Sequence, residues 1–190
     1  LQYVRLCVAA SCGEPVVVGP WASVMHPGAP LALVDGVPAT AYVGRVGSDY
    51  RVMFVRAYDA LGGSWAPPVV VPGDAFDVGS VALAVIDGHP ALAYATSSGQ
   101  PMYVGALDPH GQSWGAPVAV GAEYTAADTI SLSEIDGRPA IAYNGRLGTG
   151  VWFVRADDAA GGSWGTPVAV DAAAEVESGL VVLLPVGGNP

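Results

Sequence analysis

The sequence predicts an all-β chain: a β-propeller of four-stranded antiparallel blades with a repeat of about 50 residues, about four blades with one incomplete, alone or as part of a larger propeller. Three landmarks predict it. The tetrad Asp-Gly-x-Pro occurs at Asp35-Gly36-Val37-Pro38, Asp87-Gly88-His89-Pro90 and Asp136-Gly137-Arg138-Pro139, with a degenerate copy at Gly187-Gly188-Asn189-Pro190, at spacings of 52, 49 and 51 residues. Ser64-Trp65, Ser113-Trp114 and Ser163-Trp164 keep the same period, each leading into a Pro-Val-x-Val run, and Ser11-Cys12 is the copy with Cys in place of Trp. Arg5, Arg56 and Arg155 end a third recurring segment, in which Gly105 is the odd member.

One unit shows each strand in turn. Ile130 to Ile135 is the first, closed by Asp136-Gly137, a two-residue hairpin signal. Ala140 to Tyr143 is the second, and the glycine-rich stretch 144–150 turns the chain. Val151 to Ala156, rich in aromatic and β-branched residues, is the third. After a loop over 157–163, Trp164 to Val170 is the fourth. No segment combines helical periodicity with caps, so no helix is expected. Complete blades are expected at about 29–71, 79–120 and 129–170, with partial blades at 1–18 and 178–190. Leu1 aligns with Val151 and Pro190 with Pro139, which predicts either an imperfectly closed ring or a stretch of a longer chain.

Composition narrows the partners. Seventeen acidic residues stand against 7 basic ones, all Arg, for a net charge of −10. Such a chain lacks the basic stripe that a phosphate backbone requires, so no nucleic-acid partner is expected. With 52% hydrophobic and 13% charged residues it is no disordered acidic tail. Its longest purely apolar run, Leu180 to Val186, is seven residues, too short for a helical membrane span. Twenty-six Gly and 16 Pro fit many tight turns.

The loops before the tryptophans read Asp59-x-x-Gly62-x-Ser64-Trp65, Asp108-x-x-Gly111-x-Ser113-Trp114 and Asp158-x-x-Gly161-x-Ser163-Trp164. They resemble the Asp-box of bacterial neuraminidase-type repeats, a turn between the third and fourth strands of a blade, with one extra residue between Asp and Gly and without the leading Ser. The unit also resembles repeats of large secreted bacterial surface proteins, in which a Cys-x4-Cys hairpin can replace this loop, as Cys7 to Cys12 does here. The resemblance implies a propeller and an extracellular or cell-surface setting. It implies no reaction, because Asp-boxes are structural and sit away from the catalytic face. Cys7 and Cys12 are read as a disulfide of an oxidising compartment, with two small buried thiols as the alternative.

Candidate chemistry competes with repeat structure. Gly111 to Gly115 and Gly161 to Gly165 match Gly-x-Ser-x-Gly, but they recur inside a turn with no helix following, so neither is a nucleophile elbow. Arg5, Arg56 and Arg155 are expected to make blade-to-blade contacts with the repeated loop Asp, and Tyr42, Tyr94 and Tyr143 to pack. Arg45 and Arg146, between second and third strands, are better placed for a ligand. Glu134 is a lone carboxylate in a first strand, where its counterparts are Leu33, Val85 and Pro185. One carboxylate is not the pair that a glycosidase needs. His26, His89 and His110 have no zinc spacing, and neither metal nor cofactor is expected.

The loops leading into the first strands, at 19–29, 72–79, 121–128 and 171–179, are the least repetitive segments. They carry Trp21, His26, Phe76 and Tyr124 with Asp74, Asp77, Glu123 and Asp128, side chains suited to a sugar face or a protein hot spot. Three functions follow. The first is a non-catalytic extracellular propeller that binds a protein or a polysaccharide. The second is a structural subunit joined to other copies or neighbouring domains through open strand edges. The third is a sialidase-like glycoside hydrolase.

Overall fold

A computed structural model of the chain describes residues 2–3, 16–18, 29–73, 80–96, 98–121, 129–145, 149–175 and 181–184. Three four-stranded antiparallel sheets account for most of them, each a meander in chain order. The first blade holds β3 (Leu31–Val34), β4 (Val37–Val46), β5 (Asp49–Arg56) and β6 (Val69–Val70). The second holds β7 (Val81–Ile86), β8 (His89–Ala95), β9 (Pro101–Gly105) and β10 (Val118–Ala119). The third holds β11 (Ile130–Ile135), β12 (Arg138–Asn144), β13 (Thr149–Arg155) and β14 (Val168–Glu175). Ahead of them β1 (Gln2–Tyr3) pairs with β2 (Val16–Val17) as a two-stranded sheet. No described residue is helical.

The hairpins are built as the turn chemistry requires. Asp35, Asp87 and Asp136 have φ of 48, 47 and 51°, and Gly36, Gly88 and Gly137 follow at 73, 76 and 69°. Two consecutive positive φ angles make the primed turn whose twist matches the flanking strands, and Asp-Gly tolerates it better than most pairs.

The core lies between blades. Leu92 and Tyr94 of β8 pack with Phe54 and Val52 of the first blade, whereas Ala91, Ala93 and Ala95 of the same strand pack with Ile141 and Tyr143 of the third. Each second strand is thus buried on both faces, large side chains toward the preceding blade and small ones toward the next. This explains apolar runs where a half-exposed strand would alternate, and it suits the taper of sheets stacked radially. Tyr42, Tyr94 and Tyr143 are all buried.

Two elements differ from the sequence reading. The residues after each tryptophan do not begin a strand at once. Trp65, Trp114 and Trp164 make single bridges to Ala57, Ala106 and Ala156, and pairing resumes only at Val69, Val118 and Val168. A proline stands immediately before each restart, at Pro68, Pro117 and Pro167, and proline has no N–H for the ladder. In the third blade, 171–175 is not loop: β14 runs to Glu175, with bulged register against β13 around Gly150, where φ is 76°.

Candidate functional site

Three copies of one loop stand at the end of the blades where the Asp-Gly turns lie. In each, the aspartate carboxylate accepts from backbone. Asp59 Oδ1 takes the N–H of Leu61 and Gly63 at 3.0 and 3.1 Å, while Oδ2 takes the N–H and hydroxyl of Ser64, both at 3.1 Å. Asp108 and Asp158 repeat the pattern on Ser113 and Ser163. Trp114 Nε1 donates to the Gly111 carbonyl at 2.9 Å, as Trp65 and Trp164 do to Gly62 and Gly161. The donors fix the charged form. The Gly63 and Gly162 N–H groups lead in holding Asp59 and Asp158 below the usual carboxylate range. Partial desolvation pushes Asp108 up, but the Ser113 hydroxyl and the surrounding N–H groups outweigh it and bring it to about 2.

The same loop is the clamp between blades. The Phe54 ring meets Trp114 edge-on at 5.2 Å, and Tyr103 meets Trp164 at 5.2 Å. Each ring, on the third strand of one blade, also lies against the loop glycine of the next, Gly111 or Gly161.

Of the periodic arginines, Arg5 lies outside the described residues, and Arg56 and Arg155 do something other than expected. Arg56 Nε donates to the Val34 carbonyl at 3.1 Å and its Nη2 reaches Asp35 Oδ2 at 3.4 Å, while Arg155 Nη1 bonds Asp136 Oδ2 at 2.7 Å. Both pair with the hairpin Asp of their own blade, not with a loop Asp of a neighbour, because the loop carboxylates are taken up by backbone donors. Asp35 also receives His110 Nε2 from the second blade at 3.3 Å.

At the next junction both fillers are missing. Gly105 stands where Arg56 and Arg155 stand, and Ala160 stands where His110 stands. The vacated space is an open groove of about 500 Å³ lined by Ile86, Asp87, Tyr103, Gly105, Leu107 and Ala160, among others. Tyr103 is 3% exposed, and burial, with the Asp158 charge adding to it, pushes its hydroxyl up to about 12, so it is a neutral donor. A Cβ at Gly105 would lie 3.4 Å from that hydroxyl, an ordinary contact. Among the described residues no cation touches the Asp87 carboxylate.

Glu134, on β11, is exposed, and its Oε2 accepts the Asp87 N–H at 2.7 Å. It therefore ties the third blade to the hairpin turn of the second. His89 Nδ1 lies 2.9 Å from the Asp87 carbonyl. Of the other sequence candidates, Trp21, His26, Asp74, Phe76, Asp77, Glu123, Tyr124, Asp128, Arg146, Cys7 and Cys12 lie outside the described residues. Arg45, expected in the loop between second and third strands, lies instead within β4, whose pairing with β5 runs on to Val46 and Asp49; its side chain lies outside the described residues. Sequence reasoning passed over Asp87 and Tyr103. The signal was present in Gly105, the one break in the arginine series. Among the described residues no group of His, Cys, Asp and Glu is arranged to hold a metal, and no helix is long and apolar enough to cross a membrane.

The sequence matches no protein-family model and no curated protein sequence. Solved structures share its fold. The catalytic domain of a GH62 alpha-L-arabinofuranosidase from Coprinopsis cinerea superposes with a TM-score of 0.56 at 13% identity, covering 82% of this chain and 56% of that one. The NanB sialidase from Streptococcus pneumoniae gives 0.51 at 17%, covering 76% and 24%. A variant of the Aleuria aurantia lectin, in complex with Fucα1-6GlcNAc, gives 0.53 at 16%, covering 85% and 50%. The chain thus spans between about a quarter and just over half of the length of these structures. At these identities the likeness is one of fold: a β-propeller of four-stranded antiparallel blades.

Proposed function

We propose that this chain is a non-catalytic binding module of an extracellular or cell-surface protein, a propeller of Asp-box-like blades that holds a polysaccharide or protein ligand. The observation that carries the non-catalytic reading is the occupation of most carboxylates among the described residues, Asp87 being an exception. Asp59, Asp108 and Asp158 are each saturated by their own loops, Asp35 and Asp136 are paired with arginine, and Glu134 accepts a backbone N–H. Glycoside hydrolysis needs two carboxyl groups facing one bond across a cleft, one of them free to exchange a proton. The Asp-box reading is supported by the three carboxylate-centred turns, each between a third and a fourth strand. The carbohydrate reading is supported by the sialidase, arabinofuranosidase and lectin that share the fold.

Affinity electrophoresis through gels containing soluble polysaccharides tests this. Retention without release of reducing ends is the expected result, and release of reducing ends or of sialic acid overturns the reading. The extracellular setting is tested by alkylating the denatured chain without reductant: Cys7 and Cys12 should stay unlabelled, and labelling of both removes the disulfide.

A further inference from the structure

We propose that the groove between the second and third blades is a receptor for an arginine side chain presented by a partner protein. The chain supplies its own precedent. In the first and third blades an arginine on the third strand reaches the hairpin aspartate, Arg56 to Asp35 and Arg155 to Asp136, and Arg56 adds a bond to the Val34 carbonyl. The second blade keeps the receiving half: Asp87 with the same positive φ, and Ile86 in the place of Val34. It lacks the donor, because residue 105 is Gly.

The emptied volume suits the side chain that is missing. Pro90, Leu107 and Ala160 offer apolar walls for a three-carbon stem, which buries its methylenes while the head stays hydrated. The carboxylate of Asp87, a residue that lines the groove, accepts a planar fork better than a point charge. A second observation is independent of the carboxylate. The Tyr103 side chain is 3% exposed, and its hydroxyl, beside Gly105 at the groove, donates to no group among the described residues. It is available to a carbonyl of the entering peptide. No Arg is among the lining residues, and the one imidazole, His89, is turned onto the Asp87 carbonyl. The net charge of −10 favours approach of a basic surface.

This site stands apart from the loops that lead into the first strands, since the Asp-Gly turns close the opposite end of each sheet. The two are tested separately. An NMR titration of the full chain with acetyl-Gly-Arg-Gly-amide should shift the amides of 86–91, 103–107 and 159–162, saturating in the millimolar range. The lysine peptide should bind about tenfold more weakly. Gly105→Arg supplies the guanidinium from within and should abolish these shifts; its sister blades carry Arg there, so it should fold. Asp87→Asn, which keeps a residue at ease with positive φ, should also abolish them. Three results overturn the proposal: no shift in the wild type, equal shifts in Gly105→Arg, or occupation of these amides by a neutral oligosaccharide in place of the peptide. Polysaccharide retention by Gly105→Arg, measured in the same gels, reports on the binding-module reading alone.

Discussion

Gly161 lies directly on the ring of Tyr103: a Cβ added there would sit 2.4 Å from Cε1 and 2.9 Å from Cδ1. The contact joins the third blade to the second, and Gly111 repeats it on Phe54 at 2.4 Å. Two demands therefore meet at this glycine, a φ of 74° and a surface flat enough for an aromatic face.

Gly161→Ala should be costly for both reasons. The backbone strain and the forced movement of the ring together predict a loss of about 2–4 kcal/mol. Gly137→Ala separates them, because Gly137 has φ of 69° and nothing within 4 Å of an added Cβ. Its loss should be about 1 kcal/mol. Urea midpoints of both variants check this, and equal losses would refute the close-contact half of the explanation.

Tyr103→Phe should cost less than about 1 kcal/mol at neutral pH, because among the described residues the hydroxyl has no partner that its loss would leave unsatisfied. The alkaline limb tells more. The folded hydroxyl titrates near 12, above its ordinary value of 10.0, so its contribution is whole below pH 10 and falls away as pH rises toward 12. The Phe variant should lose stability less steeply over that window. Parallel curves would show that Tyr103 titrates normally.

Acid should act through Asp108. Its carboxyl is held near 2, below the ordinary 3.8, so its stabilisation is present above about pH 4 and is lost as pH falls toward 2. Asp108→Ala should flatten that part of the stability curve and cost about 1 kcal/mol at pH 7, the usual worth of a side chain that caps backbone donors. Chemical denaturation at several acid pH values measures it.

Glu134→Gln keeps an acceptor for the Asp87 N–H, and stability should change by less than about 0.5 kcal/mol. Any glycosidase turnover in the wild type should survive the change. Loss of turnover with the fold intact would restore a catalytic role to Glu134.

Much of the architecture was legible because turns and rings repeat. Asp-Gly pairs marked the hairpins, and the Trp-Pro-Val series marked the unit. What stayed hidden was partnership. Arg56, Arg155 and the loop aspartates were all visible as periodic, but periodicity gives a position in the unit and not the atom it meets. Only the geometry shows that Asp59 spends both oxygens on its own loop and leaves Arg56 to the hairpin. The groove was hidden for a related reason. It arises from two absences, at Gly105 and Ala160, that become adjacent only when blades stack.

The two edge-on ring pairs share a centroid distance of 5.2 Å, and each joins a third strand to the loop of the following blade. A unit of this chain therefore has a plug side and a socket side, like a coupling between rail cars. Gene duplication in whole units would preserve every coupling without new optimisation, whereas duplication in fractions would not. A substitution in a plug calls for a matching change 60 or 61 residues downstream, the distance from Phe54 to Trp114 and from Tyr103 to Trp164. Tyr103 beside Phe54 at the same position shows how little latitude that coupling leaves: one hydroxyl, placed where a groove could receive it.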